Sequence, residues 1–178
     1  GYNDEQIAAR QCEIEAVRSS YQFKEVLELG YPTTMLDTIP RGETTDRLAK
    51  IIAEVKPEIV YLPGRNDIHS DHRVTFEVGW GVLKHFRAPS VRKIFMYEVL
   101  SETEFSPPLP RESFVPNSFS DVTKYLEKKI EIMRSYKGEL GVHPFPRSEE
   151  NIRALATFRG GAAGFQYAEA FMILRDLW

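Results

Sequence analysis

A short apolar segment between two prolines constrains the fold of this chain more than any other feature. The segment Glu58-Ile59-Val60-Tyr61-Leu62-Pro63 is a short run rich in β-branched and aromatic residues, and prolines bound it. A continuous apolar run of this length and composition is typical of a strand that is buried on both faces. Such a strand needs helices to cover it, so the segment predicts an α/β fold.

Helical patterns precede and follow this strand along the chain. Apolar residues recur there at helical spacing, and polar residues that can cap a helix stand before them. The predicted elements are helices over 4–20, 44–56 and 71–86 and a second strand over 93–99. This alternation predicts an α/β, Rossmann-like parallel sheet with helices on both faces.

The remaining segments carry weaker patterns. Residues 24–29 either continue a helix or form a strand, and the alternation from Val26 to Leu29 before Tyr31-Pro32 favours a strand. A proline-rich loop is predicted over 106–118. Helices are then predicted over 120–136, 148–158 and 165–177, so the C-terminal part is expected to be mostly helical.

The length of 178 residues fits a single domain. About three strands are predicted, whereas an average sheet has roughly five or six. The chain also enters on a helix, although an α/β domain usually begins with a central strand. We therefore expect one domain over 1–178 that lacks a first β-α-β piece.

Composition excludes several classes of protein. The formal net charge of -3 argues against a nucleic-acid-binding protein, since those usually carry a basic face. The single cysteine, Cys12, excludes an intramolecular disulfide and fits a reducing, cytoplasmic location. No apolar run approaches the roughly 20 residues of a membrane span. These features favour a small-molecule substrate, with no nucleic acid and no membrane span.

The residues suited to chemistry follow the first predicted strand. The segment Asp67-Ile68-His69-Ser70-Asp71-His72 contains two of the four histidines of the chain together with two aspartates. In open α/β sheets, ligands bind beyond the carboxyl ends of the strands. A neutral imidazole is a good ligand for zinc and similar divalent ions, and a neighbouring carboxylate can fix its tautomer.

The cluster by itself leaves the division of roles open. His69 and His72 either bind one metal together, or one binds the metal while the other acts on the substrate. Asp71 either hydrogen-bonds a ring N–H or caps the following helix, and Asp67 is a second partner for a ring N–H. The cluster holds too few ligands for a closed site, since catalytic zinc usually has three protein ligands and a water.

The segment 67–72 resembles the H-x-D-H signature of the LmbE-like, or PIG-L, zinc deacetylases. That family includes the glucosaminyl-phosphatidylinositol de-N-acetylases and the deacetylases of mycothiol and bacillithiol synthesis. Other segments resemble the family in the same order along the chain. They are Arg10-Gln11-Cys12-Glu13, which is similar to the family's R-x-x-E, and residues 57–63, 97–104, 114–117, 146–148, 159–160 and 167–171.

The resemblance implies a reaction and roles for three residues. The reaction is hydrolysis of the N-acetyl group of an N-acetylglucosaminyl or similar acetamido-sugar compound, with zinc or another divalent metal as cofactor. His72 is implied as a metal ligand. His69 is implied as the protonated group that stabilises the oxyanion or passes a proton to the leaving amine, with Asp71 keeping it charged.

Three further polar residues are predicted at the substrate. Asp67 lies in the same loop as the histidines. Glu98, at the end of a strand, either hydrogen-bonds a sugar hydroxyl or is a solvated carboxylate. Arg147 either binds an anionic group such as a phosphate or forms a structural ion pair.

The chain departs from the family at its start. The family's N-terminal H-P-D-D-E segment, which supplies metal ligands and the general base, has no counterpart here. We therefore expect an N-terminally truncated domain that carries one metal ligand and the oxyanion side of the site. The alternative is a catalytically degenerate member that serves as a sugar- or nucleotide-binding or structural subunit. Because relatives often assemble, the resemblance also implies a homo-oligomer.

Overall fold

The computed structural model describes residues 3–178 and contains a mixed sheet of four strands in the order β1-β2-β4-β3. The strands are β1 (Ile59–Leu62), β2 (Lys93–Tyr97), β3 (Ser118–Asp121) and β4 (Ala168–Asp176). β1 is parallel to β2, whereas β4 is antiparallel to β2. The α/β class is therefore confirmed, and the sheet is mixed rather than purely parallel.

Five α-helices accompany the sheet in the described part of the chain. They are α1 (Asp4–Tyr21), α2 (Arg41–Val55), α3 (Ser70–Val82), α4 (Leu126–Met133) and α5 (Glu149–Ala163), and a 3-10 turn spans Leu36–Thr38. The first three confirm the predicted helices, with shifted ends. α1 begins after Asn3, whose side chain accepts the N–H of Gln6 at 2.8 Å in a reciprocal capping box.

Three predictions of local structure are wrong. Residues 24–29 form no strand, and the helix predicted over 120–136 is divided into β3 and the shorter α4. The helix predicted over 165–177 is instead the strand β4. Ala168 and Ala170 are buried in alternation, and β2 supplies hydrogen-bonding partners for this segment, so pairing with a distant strand decided its structure.

The described residues pack into two compact units, one of residues up to 30 with 120–169 and one of residues 31–119 with 170–178. In the first unit, Leu126, Ile130 and Ala156 form a small core between α4 and α5. Ion pairs reinforce this pair of helices: Arg134 with Glu149 at 2.6 Å, and Arg153 with Glu127.

The second unit has the larger core, and this core fixes the position of α3. Buried side chains of β1, β2, α3 and the segment between α3 and β2 form it: Leu62, Phe76, Leu83, Ala88, Val91, Ile94 and Met96. Gly79 of α3 lies against Leu62 of β1, where an added Cβ would stand 2.7 Å from the leucine Cδ2. This close approach packs α3 against the last residue of β1.

None of the helices in residues 3–178 has the length and apolar character needed to cross a membrane.

The core of the second unit predicts the cost of truncating Ile94. This side chain has 0% exposure, so Ile94→Ala should lower the free energy of unfolding by about 2–5 kcal/mol through lost burial and an unfilled cavity. Val115→Ala is the matched control, because Val115 is 62% exposed. Urea denaturation of both variants measures the difference, and an equal loss in the two would contradict this assignment of the core.

Candidate active site

The loop between β1 and α3 places both histidines at the start of α3. His69 is the N-cap residue, and its ring Nδ1 accepts the backbone N–H of Asp71 at 3.1 Å. The cap is therefore His69, whereas Asp71, a candidate cap in the sequence, lies in the first turn. The His69 and His72 rings stack with centroids 5.1 Å apart and planes 22° apart.

A buried carboxylate fixes the ring of His72. Asp67 is 1% exposed, and its Oδ2 lies 2.8 Å from Nδ1 of His72. A carboxylate only accepts hydrogen bonds, so the shared proton stands on Nδ1 of the imidazole. In the neutral ring, Nε2 of His72 then carries a lone pair, which is the state in which a histidine binds a metal.

The ring of His69 is held in the opposite tautomer. Because its Nδ1 accepts the N–H of Asp71, that nitrogen carries a lone pair, and the proton of the neutral ring stands on Nε2. In the neutral ring this hydrogen bond leaves Nε2–H as the donor, and the protonated state that the resemblance implied stays a prediction. Two stacked imidazoles thus offer one lone pair and one N–H.

The carboxylate of Asp71 does not bond to His69, contrary to the expected pairing. Its Oδ2 accepts the N–H of Thr34 at 2.7 Å, and its Oδ1 accepts the N–H of Leu36 at 3.1 Å. Thr34 has a φ of 64°, which a β-branched residue rarely adopts. Asp71 therefore holds the segment 34–36 beside the first turn of α3.

Three residues that the sequence analysis did not single out complete the surroundings of Asp67. Thr103 donates its hydroxyl to Asp67 Oδ1 at 2.8 Å. Arg73 donates Nη1 to the backbone carbonyls of Asp67 and Ile68 at 2.8 and 2.6 Å. Gly64 leaves space for the carboxylate, since an added Cβ would stand 2.0 Å from Asp67 Oδ1. Gly64 and Arg73 flank the cluster in sequence, whereas Thr103 carries no local signal.

The residues predicted at the substrate lie in different surroundings. Asp67 is buried, and protein groups engage both of its oxygens. Glu98 directly follows β2 and is half-buried. Arg147 belongs to the other unit, where its Nη2 lies 3.2 Å from Glu139 Oε2 and its Nε donates to the Glu139 carbonyl at 2.9 Å. This contact matches the structural ion pair, which was the alternative role for Arg147.

The described residues supply a partial set of metal ligands. Across residues 3–178, no three His, Cys, Asp or Glu side chains are grouped so that they could hold a metal ion. His72 could offer Nε2 to a metal because Asp67 engages its Nδ1, but catalytic zinc usually takes three protein ligands. Within the described part of the chain, the donor set therefore fits one position of a metal site rather than a complete one.

The surroundings of Asp67 also affect Tyr97, the last residue of β2. Burial raises the pKa of the Tyr97 hydroxyl, and the negative charge of Asp67 raises it further. Both effects disfavour the phenolate. Tyr97 therefore stays neutral at this edge of the sheet when exposed tyrosines ionise.

A family model confirms the resemblance found in the sequence. Residues 2–83 match the model described as PIG-L, GlcNAc-PI de-N-acetylase. That range includes the whole segment 67–72 and all of α3. Over this range, which is less than half of the chain, the sequence is similar to the PIG-L, or LmbE-like, family.

Solved structures share the fold at low sequence identity. N,N'-diacetylchitobiose deacetylase from Pyrococcus horikoshii matches with a TM-score of 0.71 and 22% identity, over 94% of this chain and 64% of that one. The zinc-inhibited form of the teicoplanin deacetylase Orf2 matches with a TM-score of 0.67 and 16% identity, over 98% and 76%. GalB, the 4-carboxy-2-hydroxymuconate hydratase from Pseudomonas putida KT2440, matches with a TM-score of 0.64 and 16% identity, over 97% and 74%. The fold therefore hosts both deacetylases and a hydratase.

The contact between Asp71 and the segment 34–36 predicts a local effect of Asp71→Ala. The amides of Thr34 and Leu36 lose a charged acceptor, so their hydrogen exchange should accelerate about tenfold or more, as loss of roughly 1.5 kcal/mol of hydrogen bonding implies. Asp37→Ala, at an exposed carboxylate in the adjacent turn, is the matched control. Unchanged protection of both amides in Asp71→Ala would contradict the contact.

The raised pKa of Tyr97 predicts a loss of stability in alkali. In the unfolded chain a tyrosine ionises near pH 10, whereas folded Tyr97 resists ionisation. Its contribution to stability is therefore fully present below about pH 10 and is lost as pH rises through the folded pKa. Tyr97→Phe should flatten the fall in unfolding free energy above pH 10, measured against Tyr125→Phe at an exposed tyrosine. An equally steep fall in Tyr97→Phe would contradict the assignment.

Proposed function

We propose that this protein catalyses metal-dependent N-deacetylation of an acetamido-sugar compound, with zinc as the metal. The observation that supports it most is the buried carboxylate of Asp67, 2.8 Å from Nδ1 of His72, which leaves Nε2 of that ring to bind a metal. The family match over residues 2–83 and the deacetylases among proteins of this fold support the same reaction.

His72 would hold the metal through Nε2, together with ligands from outside the set described above. A bound zinc ion polarises an amide carbonyl and lowers the pKa of its water. The fit of His72 rests on its donor chemistry: the proton on Nδ1 is committed to Asp67, so the ring cannot present N–H at both nitrogens without becoming an imidazolium.

His69 would stabilise the oxyanion of the tetrahedral intermediate. Its Nε2–H is a donor, and a donor aimed at the carbonyl oxygen gains strength as negative charge develops there. The attacking water would give up a proton to a base that the residues described above do not supply, and the same base would pass that proton to the leaving amine nitrogen. Water adds to the carbonyl carbon, the C–N bond breaks, and the products are acetate and a free amine.

Acetate release from N-acetylglucosamine and N,N'-diacetylchitobiose tests this proposal. The assay uses the full polypeptide that the gene encodes, with zinc added and after chelation. We expect release that requires zinc and is lost in His72→Ala. His69→Phe should lower kcat about 10²–10³-fold by removing one oxyanion donor, and His69→Gln should recover part of the loss through its side-chain N–H.

His85→Gln is the matched control, because His85 is a histidine outside the site that packs edge-on against Phe86. A polypeptide that binds zinc and releases no acetate from either sugar would overturn the proposal. Saturable sugar binding without acetate release would support the alternative of a catalytically degenerate binding subunit. The homo-oligomer and the cytoplasmic location implied by the sequence stay predictions.

A further inference from the structure

Hydrogen bonds join the β1–α3 loop to the segment that follows β2, and one of them connects to His72 through Asp67. Thr103 donates its hydroxyl to Oδ1 of Asp67 at 2.8 Å, and Oδ2 of the same carboxylate lies 2.8 Å from Nδ1 of His72. Asp67 is 1% exposed, so protein groups rather than solvent satisfy its carboxylate. Hydroxyl, carboxylate and imidazole thus form one continuous series.

The direction of the first hydrogen bond in this series is fixed. The backbone N–H of Val99 donates to Oγ1 of Thr103 at 2.8 Å. The hydroxyl oxygen therefore accepts from Val99, and its own proton is committed to Asp67. A donor held in this way keeps Asp67 a pure acceptor toward His72, and an acceptor at Nδ1 selects the Nδ1–H tautomer.

The backbone around Thr103 forms a tight turn that presents the hydroxyl. The N–H of Thr103 donates to the carbonyl of Val99 at 2.9 Å, so the turn is closed by both the backbone and the side chain of this residue. Ser101 within the turn has a φ of 75°, a conformation that non-glycine residues adopt only where their surroundings impose it.

Neighbouring hydrogen bonds hold the loop in place but do not involve the carboxylate of Asp67. Ser106 donates its hydroxyl to the carbonyl of Asn66 at 2.6 Å, and the N–H of Ile68 donates to the carbonyl of Glu102 at 3.2 Å. Both are general anchors between the same two segments. Substitution of Ser106 therefore weakens the anchoring of the loop without removing a hydrogen bond to the carboxylate of Asp67.

We infer that Thr103 is a positioning residue that fixes the tautomer of His72 through the buried carboxylate of Asp67. Without the hydroxyl, Oδ1 of Asp67 is buried without its donor, and the carboxylate turns away from His72 toward another partner. This change weakens the acceptor at Nδ1. The consequence for metal binding at Nε2 rests on the proposed function, whereas the tautomer itself is a property of the metal-free chain.

Nitrogen-15 NMR of the histidine rings tests the inference on the metal-free, full-length protein at pH 9, with His72→Gln used for assignment. We expect the Nδ1–H tautomer of His72 in the wild type and in Thr103→Ser, which keeps the hydroxyl. Thr103→Val should raise the ratio of Nε2–H to Nδ1–H about tenfold, the change that loss of one hydrogen bond to a charged group implies. Ser106→Ala should leave the ratio unchanged.

A wild-type ratio in Thr103→Val would overturn the inference, and so would an equal change in Ser106→Ala, since that assigns the effect to loop anchoring. If Thr103→Val does not fold, a measurement on the wild-type protein tests the inference instead. A slowly exchanging Thr103 hydroxyl proton with a nuclear Overhauser contact to Asp67 is expected, and its absence would overturn the inference. Because no metal or substrate is used, the result is independent of whether acetate is released.

Discussion

The buried carboxylate of Asp67 is the constraint on which the candidate site depends. A charge at 1% exposure is costly unless hydrogen bonds replace the lost solvent, and here Thr103 and His72 supply them. Gly64 is required because no larger residue leaves room for the carboxylate, and Arg73 secures the carbonyl of Asp67. The loop conformation and the orientation of His72 both follow from satisfying this one group.

The core of the second unit decides where that group is presented. α3 packs closely on β1 through Gly79 and Leu62, and a short loop joins the carboxyl end of that strand to the first turn of the helix. Ligands of open α/β sheets bind at this edge. Asp71 uses the same turn to hold the segment 34–36, so the packing of one helix organises three segments of the chain.

The two histidines are adjacent but chemically different because their Nδ1 atoms meet different partners. An accepting carboxylate makes His72 a lone-pair donor at Nε2, and a donating backbone N–H makes His69 an N–H donor at Nε2. Deacetylases and a hydratase share this fold, so the fold does not determine the reaction, and the chemistry of individual side chains must do so. The proposed amide hydrolysis rests on this pairing of a ring that offers a lone pair with a ring that offers an N–H.

The sequence by itself determined the α/β class, the helices α1 to α3, the strands β1 and β2, and the segment 67–72 that carries the histidines. Each of these rests on local periodicity or on residues adjacent in the chain. Only the tertiary structure decided that residues 168–176 form a strand, because their partner β2 is distant in sequence. It likewise set the roles of Asp67, Asp71 and Thr103, since their decisive hydrogen bonds join residues about 35 positions apart, and local patterns carry no information about such contacts.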